Sequence, residues 1–508
     1  MKIGKTKAEK IFAPLIFLIV FSFGLIWAAI VPANNEAPDE ASHVNMIYFL
    51  KNHHRAPVFN REEEIHPTIY DQRIGSGAYY SMAYNSPLSY LPFIPISNGL
   101  IENVSKNNIL PMRIVSALFI GLFALFLFMS LRNFEPKNPI LALAVTLLVV
   151  FIPQVIFTSG YINIEPFALL ISAISFYFLS RVVTKDIKII SDFVWLGFSL
   201  GILGLCKANY LFFVLFLFLI LLIIIIKSKK KKQLALYSLL SAGIFLLLNL
   251  WWWIRNISLY GDPLITGYIK REILDRAPGW LVTPAEQGYN IFTIFERTDF
   301  LKLTFLGFFA NLGGASILLP KIFYMIFFLL VIVCLFSSLT KIKQNKYSEF
   351  VLSATVTSIA AILYFAYKNL YDFSPQGRHL FPLLIPLALV VYFGINKIKK
   401  IWQKIICLFL IIFGVFSSFW GLWLTVDQYY VRGIAYSNFS NSGKIVTDFS
   451  WRVFSLKNYE KLFSYIFDGN PPVLGQIAVV IAGVVLLLSL AIIFYRIIKT
   501  KSQTSAID

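Results

Sequence analysis

The chain has 508 residues, 58% of them hydrophobic, 17% aromatic and 14% charged, and its 45 Lys and Arg outnumber 26 Asp and Glu for a net charge of +19. That balance excludes an ordinary soluble globular domain and reads as a multi-pass membrane protein. No nucleic acid partner is needed to explain the basic excess, because nearly all of it falls on the chain ends and loops assigned below to one face, as the positive-inside rule requires.

The first apolar run, 11–31, lies behind Lys2, Lys5, Lys7 and Lys10. It exceeds the roughly 7–15 residues of a signal-peptide core, so despite a weakly cleavage-like "WAAIVPA" it reads as a retained span with a cytoplasmic N-terminus. Apolar runs recur near 112–131, 139–157, 165–180, 191–205, 209–226, 234–254, 321–339, 348–366, 379–395, 405–425 and 473–495. Taken as spans of roughly 20 residues each, they predict an all-α membrane protein with about 12 (11–13) transmembrane helices. Both termini are then cytoplasmic, the inner loops are short, and long outer loops cover 32–110, 255–320 and 426–472. The lysine-rich run 227–232 reads as a topology signal.

After the first span, Pro38 suits a first helical turn, and Asp39 and Glu40 sit at its positive end. Val44, Met46, Ile47, Phe49 and Leu50 supply an apolar face, so the segment reads as an interfacial helix lying on the membrane with its acidic end toward a cavity. His43, four residues after Asp39, shares its face. The plainer reading of the two acids is a pair that only caps the helix. "YNSPLSYLPFIP" (84–95) reads as a second interfacial segment, and Arg113 at the outer end of the next span suits either a substrate anion or lipid phosphate.

The outer turn "SGYINIEP" (159–166) carries Asn163 and Glu165, and Lys207 occupies the tip between the spans 191–205 and 209–226, where snorkelling alone would account for it. "WWWIRNISLYGDPL" (251–264) has an aromatic belt followed by Arg255. "YDFSPQGRHLFPLLIPL" (371–387) places Gln376, Arg378 and His379 where a span begins, and an Arg entering an apolar helix is expensive unless paired. Cys206, Cys334 and Cys407 are odd in number and lie in or beside spans, which gives no disulfide framework or zinc site. There is no Walker loop, dinucleotide fingerprint or internal repeat.

The ordered set made by the acidic pair, the Pro/Tyr segment, "RIVSALFIGL", "IPQVIFTSGYINIEPFAL", the Lys after the fifth span, "RNISLYGDPL" and "SPQGRHLFPLLIP" resembles the GT-C superfamily of membrane glycosyltransferases. The likeness, closest to a bacterial branch and more distant to protein O-mannosyltransferases and lipid A aminoarabinose transferases, runs from about residue 10 to residue 390. One departure is visible: "NIE" stands where the family pattern has N-x-D, so Glu165 replaces an aspartate.

The resemblance implies a GT-C-like catalytic module over 1–400, with loops 32–110 and 255–320, followed by C-terminal helices and loop 426–472 in 401–508. It implies an enzyme of the cell membrane that passes a sugar from a polyprenyl-phosphate carrier to an extracytoplasmic glycan, lipid or protein acceptor. Asp39 is then the general base with Glu40 in support, because an acceptor hydroxyl must lose its proton as it attacks. His43, Arg113, Asn163, Glu165, Lys207, Arg255, Gln376, Arg378 and His379 would bind substrate, the cations meeting the lipid phosphate. No cofactor is expected, although Asp39, Glu40 and Glu165 leave a Mg²⁺ or Mn²⁺ site open as an alternative. The rival readings are a transporter or flippase of lipid-linked sugars and a non-catalytic membrane partner in polysaccharide export. The absence of a repeat and the long first outer loop weigh against transport.

Overall fold

In the computed structural model the described residues are 7–32, 37–58, 82, 85–97, 106–184, 189–268, 282–313, 317–340, 348–396, 398–431 and 473–504. Most of loop 426–472, much of loop 32–110 and part of loop 255–320 lie outside them.

Each of the twelve apolar runs folds as helix, because within hydrocarbon a chain must satisfy its own backbone hydrogen bonds. In chain order they are α1 (Lys7–Ile30), α3 (Lys106–Phe134), α4 (Pro139–Val150) with the short α5 (Pro153–Phe157), α6 (Glu165–Thr184), α7 (Ile190–Cys206), α8 (Leu211–Lys227) and α9 (Lys231–Tyr260). After α10 (Thr298–Phe309) come α11 (Lys321–Thr340), α12 (Ser348–Asn369), α13 (Leu384–Asn396), α14 (Lys400–Val426) and α15 (Val473–Thr504). By length and apolarity ten helices of the described residues can cross a membrane, or eleven if one bent pair counts as a span. Two features separate this from the count of about twelve. Pro153 cannot donate its N–H and holds Ile152 out of helical geometry, so the run 139–157 bends by 65°. The other, α7, has only 17 residues.

Large apolar side chains stand exposed along the outer helices, among them Leu247 at 72%, Leu487 at 66% and Phe336 at 64%, a surface that only lipid would cover favourably. The central helices are buried on most sides: α1, α3, α4 and α6 share one continuous core with α13 and α14. Helices α7 and α9 pack closely through Gly197, Gly201 and Gly204, where an added Cβ would lie 2.5–2.6 Å from the Ser241 backbone or the Leu248 and Asn249 side chains. That close packing fixes the C-terminal end of α7, which carries Lys207.

The helix after the first span, α2 (Glu40–His53), is buried on more than the one apolar face that the sequence marks. Residues from Glu40 to Ile47 are all buried, Phe49 and Leu50 as well, and Val44, Met46 and Ile47 pack with Tyr90, Phe93, Met112 and Ile162. The 3-10 turns Pro87–Ser89 and Leu91–Ser97 cover it, so even its polar side chains face protein. Away from this layer, Asn311–Leu312 and Ile317–Leu318 form a small antiparallel ladder, with Asn311 opposite Leu318.

Candidate active site

A cavity of about 730 Å³ opens at one end of the bundle. Its walls come from the start of α2, the 158–165 turn, the 206–209 tip, the 262–267 turn, the last turn of α12 and the first residues of the 377–396 helix. One side is apolar and aromatic, with Phe212, Trp252, Tyr364 and Phe365.

Asp39 precedes α2 in a left-handed conformation, φ 62°, which aspartate tolerates better than most residues. Its side chain does not cap the helix. The carboxylate instead meets Arg378, whose Nη2 donates to Oδ2 at 2.6 Å. Arg378 is oriented from behind by Gln376, which accepts from Nε at 2.8 Å, and its Nη1 donates to the Tyr161 hydroxyl at 3.4 Å. The segment bearing Arg378 is pressed against α10: a Cβ on Gly377 would collide with the backbone of Thr304 and Phe308, so only glycine fits there.

Burial alone would raise the Asp39 carboxyl, but the Arg378 guanidinium and, more distantly, Lys207 hold it below its ordinary value. His43 lines the same wall, its Nδ1 2.8 Å from the Tyr90 hydroxyl, and burial pulls it down to about 3, so the ring is neutral at pH 7. Burial pushes the Tyr161 phenol up to about 12, leaving a neutral hydroxyl beside the pair.

Glu165 opens α6 and is engaged on both oxygens, by Lys207 Nζ at 2.5 Å and the Tyr210 hydroxyl at 2.6 Å. Asn163 shapes that turn: its Oδ1 accepts from the Glu165 N–H at 2.8 Å and its Nδ2 donates to the Thr158 carbonyl at 3.0 Å. His379 also lines the cavity, and its carbonyl accepts from Asn209.

Four of the residues singled out from the sequence are not on the cavity wall. Glu40 is fully buried and grips Arg113 bidentately, at 2.9 and 2.6 Å, while Arg113 also donates to the carbonyls of Ala28, Val31 and Pro32. Glu40 further accepts from the Ile162 N–H at 2.8 Å, so this pair ties the end of α1 to α2, α3 and the 158–165 turn. Arg255 donates to the Pro57 carbonyl at 2.7 Å and lies over the Trp252 ring. Gln376 stands behind Arg378.

Sequence reasoning missed Lys368, Asp372, Tyr161 and Tyr210. Lys368 lines the cavity and makes no direct ion pair among the described residues; Asp372, one turn on, feels its charge. Lys368, Lys207, Arg378 and His379 all line the cavity, which places three cations around one space. A Lys ending an apolar span reads as snorkelling, and only the aromatic density of "YFAYKNLYDF" (364–373) hinted otherwise. As for a metal site, Asp39, Glu40 and Glu165 each meet a different cation, and no group of three or more His, Cys, Asp or Glu among the described residues is placed to hold an ion.

Fold and cavity together define a nearly all-α membrane protein with a charged chamber at one end of its bundle. The chain belongs to the family described as predicted membrane protein (DUF2142), which matches residues 47–387. No curated protein matches it. Among solved structures it is similar to ArnT from Cupriavidus metallidurans bound to undecaprenyl phosphate, at 12% identity over 91% of this chain and 75% of that one, TM-score 0.46. It is similar as well to the Archaeoglobus fulgidus oligosaccharyltransferase tethered with an acceptor peptide containing the NVT sequon, at 11% identity over 90% and 63%, TM-score 0.49. A third is AglB from Archaeoglobus fulgidus in complex with an inhibitory peptide and a dolichol-phosphate, at 12% over 91% and 64%, TM-score 0.48. These are GT-C proteins, the superfamily that the sequence motifs resemble, and the chain spans less than two thirds of the two oligosaccharyltransferase chains.

Proposed function

We propose that this chain is a GT-C-type glycosyltransferase that moves a sugar from a polyprenyl-phosphate carrier to a glycan, lipid or protein acceptor on the extracytoplasmic side of the cell membrane. The observation that carries the reading is a cavity whose wall brings the Asp39 carboxylate together with Arg378, Lys207 and Lys368, with Glu165, Asp262 and Asp372 also on the wall, beside aromatic side chains. A lipid phosphate needs fixed cations, a prenyl chain needs apolar surface, and an acceptor hydroxyl needs a base; the cavity holds all three.

In the reaction the acceptor oxygen forms a bond to the anomeric carbon as the bond from that carbon to the phosphate oxygen breaks. The acceptor proton passes to Asp39, and the electron pair leaves with polyprenyl phosphate. Lys368, without a carboxylate contact among the described residues, is the cation readiest to meet the donor, and Lys207 and Arg378 add charge where the leaving group's negative charge grows. Neutral His43 and Tyr161 suit hydrogen bonding to sugar or acceptor hydroxyls at pH 7. Glu40 and Arg113 act as framework. The chemistry asks for no metal ion, since side-chain cations supply the charge.

The test is purified protein in lipid nanodiscs supplied with polyprenyl-phosphate sugars and candidate acceptors. Release of polyprenyl phosphate coupled to acceptor glycosylation is the expected result. Translocation of the intact lipid-linked sugar without release would assign the protein to transport.

A further inference from the structure

As the structure stands, Asp39 is a poor base. Its Oδ2 takes a charge-assisted hydrogen bond from Arg378 at 2.6 Å, and a carboxylate so engaged has little affinity for an acceptor proton. The same guanidinium is one of the cavity's cations. Base and cation therefore neutralise each other in this arrangement.

Three observations show that this pair is built to part. Its side chains are 15% and 35% exposed, open to the cavity, whereas the neighbouring Glu40–Arg113 pair is 0% and 2% exposed. Besides Asp39, Arg378 makes side-chain hydrogen bonds only to neutral partners among the described residues: Gln376 accepts from Nε at 2.8 Å, and Tyr161 meets Nη1 loosely at 3.4 Å. The planar guanidinium moves as one rigid fork, so parting from Asp39 asks only that these two neutral hydrogen bonds swing or break with it. Lastly, Lys368 and Lys207 line the same cavity as Arg378, so a phosphate drawn to them arrives beside Arg378.

We infer that Arg378 holds Asp39 in reserve, and that a lipid-linked phosphate entering the cavity draws Arg378 away and frees the carboxylate to act as base. This rests on the glycosyltransferase reading and adds a rule to it: the carboxylate is a competent base only when donor is bound. An acceptor hydroxyl can give up its proton only after the donor has docked, so the productive order is donor first. When polyprenyl phosphate departs, Arg378 returns to Asp39 and the cycle resets. Arg378 is in this scheme both a phosphate ligand and a positioning residue for Asp39.

The experiment measures the proton affinity of Asp39 directly, without turnover. Carbodiimide coupling of glycine ethyl ester to Asp39 is followed by mass spectrometry across pH, with and without undecaprenyl phosphate, in the full-length protein; native mass spectrometry reports lipid binding in the same samples. Saturating lipid should raise the midpoint of Asp39 labelling by about one pH unit or more, a tenfold change in proton affinity. In Arg378→Ala, and in Arg378→Gln as a second variant, the lipid-free midpoint should already sit near that of the lipid-loaded wild type. Asp299, paired with Arg297 away from the cavity, should not respond. Lipid that binds yet leaves the Asp39 midpoint unmoved overturns this inference while the glycosyltransferase reading stands, as does a lipid-free midpoint in both variants equal to that of lipid-free wild type. Failure of undecaprenyl phosphate and its glycosylated forms to bind at all overturns the functional reading, and this inference with it.

Discussion

Two carboxylate–guanidinium pairs start from adjacent residues, Asp39 with Arg378 and Glu40 with Arg113, and the surroundings make them different devices. Glu40 and Arg113 are wholly enclosed, joined by two hydrogen bonds and braced by backbone groups of α1 and of the 158–165 turn. Asp39 and Arg378 are joined by one hydrogen bond at the edge of a cavity. In an enclosed pair neither ion has water to fall back on, so the pair persists and its worth is structural. In a pair that water reaches, either partner can be taken by a competing ligand at small penalty, which suits a site that must change during turnover.

The largest effect should come from breaking the enclosed pair. Arg113→Ala strands the Glu40 charge and should destabilise the protein by about 3–5 kcal/mol, read as a drop in apparent melting temperature in detergent. A double variant with Leu at 40 and Met at 113 should regain most of that loss; equal instability in single and double variants would count against the pair as the cause.

Next in size, Asp39→Asn should lower turnover about a hundredfold or more, near 2.7 kcal/mol, while stability changes by less than about 1 kcal/mol. Glu40→Gln should show the reverse pattern, losing stability with turnover per folded molecule retained. Turnover of the two variants, normalised to folded protein, decides the matter. A dead Glu40→Gln beside an active Asp39→Asn would mean the roles are exchanged.

Arg378→Lys keeps the charge and loses the fork. We expect donor affinity to weaken about tenfold, some 1.4 kcal/mol, measured by lipid titration in native mass spectra. Unaltered affinity would leave Arg378 as a partner of Asp39 alone.

A pH-dependent effect on stability attaches to His43, buried one turn from Asp39. Folded, it stays neutral down to about 3, whereas an unfolded chain protonates it near 6.5. Between those values the unfolded state binds more protons, so stability should fall as pH drops below 6.5, by up to about 1.4 kcal/mol per pH unit, and be flat above it. Melting temperatures of wild type and His43→Gln at pH 7.5, 6 and 5 test this; parallel slopes would remove His43 from the account.

The smallest effect expected is none. If Arg378 and not a divalent ion accompanies Asp39, EDTA should leave transfer unchanged. Loss of activity restored by Mg²⁺ or Mn²⁺ would replace the cation in the comparison.

Much of this could be read along the chain. The helices were legible because a span of roughly 20 apolar residues leaves few other structures open in a membrane. Arg378 stood out because an Arg entering an apolar helix is expensive unless paired, and Asp39 through the resemblance of its segment to the GT-C pattern. Their union, across 339 residues of sequence, was not legible. Neither was the separation of Asp39 from Glu40: two like acids in succession look alike until the left-handed turn at Asp39 sends one side chain to the cavity and the next into the core. Lys368 escaped notice because a terminal lysine on an apolar helix resembles an anchor, and only the packing of α12 against the 377–383 segment makes it a wall of the site.

By itself, then, the sequence determined a helical membrane protein and where most spans begin and end, since hydrophobic length and charge bias act locally and need no partner. The tertiary structure alone decided which charges meet. Ion pairing depends on distances of a few ångströms and on the water left around them, and both are set by how α1, α2, α6, α12 and the Gly377 segment converge from distant parts of the chain.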